Sequence, residues 1–237
     1  MNQALYRQSV FFCGWICLSI AWAFWPRYFS RPFSQPNLYV HAHVLPLTLW
    51  CFLLFIQAYA IRTGQYWIHR RLAYASYALM PIIVLTTLGL LHRGVQGLQL
   101  MEHHWVYFAF HLSTLTAFTA LYGLALYHRH DPPTHTRYML CTALPLFTVF
   151  VPRLFEISRP MENLAMMAFG PAAIGQAALI PANALAIAMS VWDWRASRRL
   201  NVFPVALGML LTIHVATTTF YRVPVWRTFV GWFVESW

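Results

Sequence analysis

Apolar residues run along this chain in long blocks, not in the alternation of a strand or the narrow stripe of a surface helix. The blocks fall at about 9–25, 38–61, 72–92, 104–127, 137–157, 164–194 and 202–222. About 20 apolar residues suffice for a helix to cross the hydrocarbon layer. The pattern therefore predicts an all-α fold, a polytopic membrane helix bundle of about seven transmembrane helices, with 1–237 as a single integral membrane domain. Short polar punctuation separates the blocks: Pro26, Pro32 and Pro36, then Arg62-Thr63-Gly64-Gln65, then His128 to His135. The block at 164–194 is too long for one straight span and holds Gly170-Pro171, Gly175 and Pro181. It predicts one kinked or tilted helix, or else a broken pair of half-helices. Beyond the last block, Trp226, Phe229, Val230, Phe233 and Trp237 share a helical face, which predicts a C-terminal helix lying in the interface.

Composition agrees. The chain is 59% hydrophobic and 9% charged, against roughly a quarter charged in soluble domains. The seven blocks leave only short loops. The net charge is +10, and every basic residue is Arg. These Arg residues sit at the ends of apolar blocks, so they read as orientation signals and headgroup contacts, with no nucleic acid as partner. With seven spans, nine Arg fall on the N-terminal side and six on the other, leaving out Arg153 as intramembrane. That bias predicts a cytoplasmic N-terminus in a bacterial inner membrane. Arg7 and the apolar run to Ala21-Trp22-Ala23 mimic a signal peptide but read as an uncleaved first helix. Cys13, Cys17, Cys51 and Cys141 all lie in predicted spans, so no disulfide framework is implied. Cys13 and Cys17, one turn apart, are either small packing residues or a metal pair.

Histidine is what the bland pattern does not explain. This topology sorts His41, His43, His92, His103, His104, His111 and His214 to the outer half, and His69, His128, His130 and His135 to the inner face. His104 and His111 share one helical face. His111 and His214 lie on different helices, each about 10 Å from the outer surface. An imidazole at that depth needs partners for its ring nitrogens. Histidines from two helices at one depth are what haem ligation or a copper or iron site requires. His43, His111 and His214 are the candidate metal ligands, with His104 close by; His43 is preferred to His41, which points to nearly the opposite side. Arg153 and Glu156, three apart on one face, either pair with each other or hold an anionic group such as a haem propionate. Gln176 and Asn183, two turns apart, either bind a quinone carbonyl or join helices by hydrogen bonds.

His69-Arg70-Arg71-Leu72 opens one span; Asp131 and then His135-x-Arg137-Tyr138-Met139 open another, with Arg153 later in it. Over about residues 40–160 this pattern resembles an uncharacterised family of bacterial multi-span membrane proteins, a domain of unknown function. The resemblance implies membrane residence and no established activity. The layered histidines are also loosely similar to transmembrane b-type cytochromes.

Three functions fit these features. The first is a redox membrane protein, with haem b or a copper or iron ion held by the outer histidines and electrons passed to or from a quinone. The second is a non-catalytic accessory or assembly subunit packed against other membrane subunits. The third is a metal-handling or transport protein.

Overall fold

The apolar blocks fold as helices. The computed structural model describes residues 3–31, 34, 37–155, 160, 163–164, 167, 173–198 and 200–236, and among them there is no strand. The helices are α1 (Gln3–Phe24), α2 (Leu38–Arg62), α3 (Tyr66–Arg93), α4 (Glu102–Tyr127), α5 (Pro132–Cys141), α6 (Phe147–Phe155), α7 (Ala173–Ser197), α8 (Phe203–Thr219) and α9 (Pro224–Glu235). A π-helical turn, Trp25–Phe29, follows α1, and a 3-10 turn, Phe220–Arg222, follows α8. Five stretches are long and apolar enough to cross a membrane: α2, α3, α4, Gly175–Ser197 of α7, and α8 with its following turn to Arg222. They mark an integral membrane protein. The apolar stretch of α1, Gln8–Phe24, is shorter.

Two compact units divide the chain, Met1–Leu90 and Leu91–Trp237. In the first, α1 packs along α2. Gly14 makes room for Phe55, whose ring would lie 3.3 Å from a Cβ there. Without a strong hydrophobic drive between helices in lipid, such close approach is what holds them together. Tyr28, in the turn after α1, hydrogen bonds His41 at the start of α2 over 2.8 Å. The same end of α2 meets α3, through the Tyr39 ring beside Gly89 and a 3.3 Å hydrogen bond between His43 and Thr87. The core of this unit is Ile16, Trp50 and Ile83, all nearly inaccessible.

In the second unit α4 packs on α8, α8 on α7, α7 on α6, and α5 on α4. The block at 137–157 does not form one span. It is split into α5, of 10 residues, and α6, of 9, each too short to cross by itself at 1.5 Å per residue. The link between them, 142–146, is wholly buried. Its backbone is satisfied by tight i→i−3 bonds, Ala143 to Leu140, Leu144 to Cys141 and Leu146 to Ala143, each 3.0–3.2 Å. Pro145, which has no N–H to donate, sits in the break. Irregular backbone out of reach of water is tolerated only where protein covers and satisfies it, and this link is buried.

In the block at 164–194, where one kinked or tilted helix or a broken pair is expected, α7 runs unbroken through Pro181, and the Gly170-Pro171 step lies outside the described residues. Tertiary burial of the 142–146 link, which no local pattern announces, decides where the chain may leave the helix.

The C-terminal helix forms as expected and docks on its own unit. Val230 and Phe233 are buried, Phe233 packs edge-on to Phe108 at 5.6 Å, and Trp226 donates from Nε1 to the Trp105 carbonyl at 3.2 Å. His92 donates from Nε2 to the Val234 carbonyl at 3.0 Å, filling one of the acceptors a helix C-terminus leaves open. Trp237 lies outside the described residues.

Candidate functional site

Three polar side chains of the second unit, Gln176, Asn183 and His214, meet between α7 and α8. Phe110 of α4 fits against Gly175 of α7, where an added Cβ would lie 3.0 Å from the ring. That contact sets Gln176, the next residue, beside α8. There Gln176 Oε1 accepts a short hydrogen bond from His214 Nδ1–H, and Gln176 Nε2 donates to the His214 carbonyl at 3.3 Å. Two turns on, Asn183 Nδ2 donates to His214 Nε2 at 2.6 Å. His214 is thus clasped at both ring nitrogens by two amides of one neighbouring helix. Gln176 and Asn183 join helices by hydrogen bonds, and their partner is the histidine that the apolar pattern left unexplained.

One residue beyond Phe110, His111 is arranged differently. Its Nδ1–H donates to the carbonyl of Tyr107, one turn earlier, at 2.9 Å, and its ring lies 4.0 Å from the Tyr107 ring. That bond fixes the tautomer and leaves Nε2 with its lone pair. Among the described residues no hydrogen-bond partner meets Nε2. Arg153 of α6, half-buried, acts electrostatically on both Tyr107 and His111. Glu156, the expected partner of Arg153, lies outside the described residues.

The other histidines are tied locally. His104 Nδ1 accepts from the Met101 backbone N–H at 3.0 Å, so it caps α4, and its ring lies tilted against that of His103 with centroids 3.9 Å apart. His43 is bonded to Thr87. On the other layer, His135 donates to the Ala125 carbonyl at 2.8 Å, and His128 stacks on Tyr138 with centroids 5.6 Å apart. Among the described residues no group of three or more His, Cys, Asp or Glu side chains is placed to hold a metal ion. His214, with both ring nitrogens hydrogen bonded, has none to spare for a metal ion.

The strongest polar contact is one the sequence pattern did not single out. Arg137 of α5 and Asp193 of α7 form a buried bidentate ion pair, Nη2 to Oδ1 at 2.6 Å and Nε to Oδ2 at 2.9 Å, with 2% and 1% of the two side chains exposed. Arg137 Nη1 also donates to the Pro133 carbonyl at 2.9 Å, and Ser197 Oγ donates to Asp193 Oδ1 at 2.6 Å. Arg137 counts as a loop charge in the sequence. The available signal was Asp193 itself, an acid between two tryptophans at the end of an otherwise acid-free apolar block.

No protein-family model, curated protein or solved structure matches this chain.

Proposed function

We propose that the chain crosses a bacterial inner membrane seven times with its N-terminus in the cytoplasm, and that it holds a haem b in its outer half for electron transfer to or from a quinone. The five long apolar helices account for five crossings; α1 and the broken α5–α6 pair account for the other two. The resemblance of residues 40–160 to a multi-span bacterial family belongs to the same reading.

The observation that carries the haem is the state of His111. A backbone carbonyl holds Nδ1–H, the usual way a ligating imidazole is oriented, and Nε2 keeps its lone pair. A guanidinium acts on the same ring, and haem carries carboxylates that an Arg can meet. The residues fit haem better than a bare ion. Haem asks for one or two axial side chains, whereas a bare ion asks for about four. In this reading His111 would hold the haem iron and Arg153 would meet a haem carboxylate, whereas His214, with both nitrogens spent, would not bind the iron.

An absorption spectrum of the purified full chain tests this. A Soret band that moves on reduction is expected, lost in His111→Ala and kept in His214→Ala. Absence of haem from the wild-type protein made in haem-replete cells, or retention of haem by His111→Ala, overturns the assignment.

A further inference from the structure

The hydrogen bonds around His214 determine its protonation chemistry. Gln176 cannot turn its amide over, because Nε2 is already committed to the His214 carbonyl, so Oε1 must face Nδ1. Nδ1 therefore carries a proton in every state of the ring. A neutral imidazole has only that one proton, so Nε2 must accept, and Asn183 must present its NH2, as it does.

Asn183 is not pinned as Gln176 is. Its Oδ1 is buried and has no hydrogen-bond partner. No bond made by that oxygen holds the amide in one orientation. Turning the amide over would bring Oδ1 to Nε2 and send the NH2 to the place Oδ1 left. One group is orphaned before and after, so the exchange costs little at Asn183 itself. What changes is at the ring: Nε2–H of an imidazolium can donate to Oδ1, and a charge-assisted bond is the stronger kind. A buried histidine ordinarily resists ionisation because its surroundings cannot solvate the cation. Here both N–H groups of the cation would meet an amide oxygen.

We propose that His214 is a proton-binding site inside the membrane-spanning bundle, with Gln176 as its fixed partner and Asn183 as an amide that turns over when the proton arrives. The titratable groups on the elements packed against α8 leave room for the added charge. At this level α4 offers His111 and Tyr107. On α7 the nearest is Asp193, about three turns beyond Asn183 and neutralised by Arg137 of α5. The turn after α8 brings Tyr221 and Arg222, about two turns from His214; α5, which also packs on α8, carries His135, bonded to the Ala125 carbonyl, Arg137, Tyr138 and Cys141. A proton entering from that end travels about 12 Å along the helix axis. The proposal stands apart from the haem at His111, since it uses neither that ring nor Arg153.

The test is nitrogen NMR of the full chain in detergent micelles with 15N-labelled histidine. The His214 signals are identified by their loss in His214→Gln. Above neutral pH the ring should show the Nδ1–H tautomer. On acidification it should become an imidazolium in a single step. Asn183→Leu, which removes the turning amide, should lower that midpoint by about one pH unit, a tenfold loss of proton affinity. Asn183→Asp, which keeps an oxygen and about the same volume should the leucine variant misfold, should raise it. A ring that stays neutral to pH 4.5 in the wild type overturns the proposal. So does a midpoint that neither variant moves, or an Nε2–H tautomer in the neutral state.

Discussion

Asp193 is an acid with almost no exposed surface, and its two oxygens are filled by Arg137 and Ser197. Ion pairs of this kind gain little net stability over apolar side chains of the same shape, but losing one partner strands the other charge. Asp193→Asn should therefore destabilise the protein by about 3–5 kcal/mol. Thermal unfolding in detergent, followed by tryptophan fluorescence, would show it. Arg137→Met combined with Asp193→Leu should recover most of the loss. A double variant as unstable as the single one would mean that the pair does more than neutralise itself. Arg137 was legible in the sequence as part of a span-opening motif, but not its partner 56 positions away. Two helices must dock before an acid on one is within 3 Å of a guanidinium on the other.

At the scale of elements, Gly175 is where the packing of α7 on α4 is set. An added Cβ would stand 3.0, 3.1 and 3.3 Å from three atoms of the Phe110 ring, too close without movement. Gly-to-Ala in a helix ordinarily gains about 0.5–1 kcal/mol, while overpacking costs about 1–3 kcal/mol. Gly175→Ala should thus lower the unfolding midpoint, and Phe110→Leu in the same chain should restore it. Gly123, on the same α4 and with open space around it, is the control; Gly123→Ala should leave the midpoint unchanged or raise it. The shift in packing should also reach the clasp on His214, since Gln176 follows Gly175 directly. The break between α5 and α6 belongs to this scale too. Pro145 and Pro152 were visible in the sequence, yet proline inside α2, α3 and α7 leaves those helices continuous. At 142–146 the backbone leaves the helix where it is buried; around Pro181 the helix continues although Ala178, Leu179 and Ala182 are buried too.

At the scale of the molecule, the orientation rests on loop charge. The buried pairing of Arg137 takes one charge from the N-terminal count, leaving eight Arg against six. The bias keeps its sign and shrinks, so the cytoplasmic N-terminus is tested directly by reporter fusions. Truncations fused after Arg71 and after Arg93 should report opposite sides of the membrane, the first cytoplasmic. The same side for both would mean that α3 does not cross. The tail helix bears on the accessory-subunit alternative. Val230 and Phe233 of α9 are used within the chain, against Phe108 and its neighbours, while Trp232 stays exposed.

The sequence by itself determined that the chain is helical, that its apolar blocks are long enough for a bilayer, and that a last amphipathic helix follows them; of the seven blocks it marked as spans, five are long apolar helices in the structure. Those properties are local: block length and helical period can be read along the chain without knowing what each residue touches. It also marked the side chains that needed explanation, His111, His214, Gln176, Asn183 and Arg153 among them. Only the tertiary structure decided their partners. It gave both nitrogens of His214 to two amides, left Nε2 of His111 without a hydrogen-bond partner among the described residues, and joined Arg137 to Asp193. The physical reason is that a partner is fixed by the rotation and depth at which two helices dock. Those follow from contacts such as Phe110 on Gly175, which no periodicity encodes.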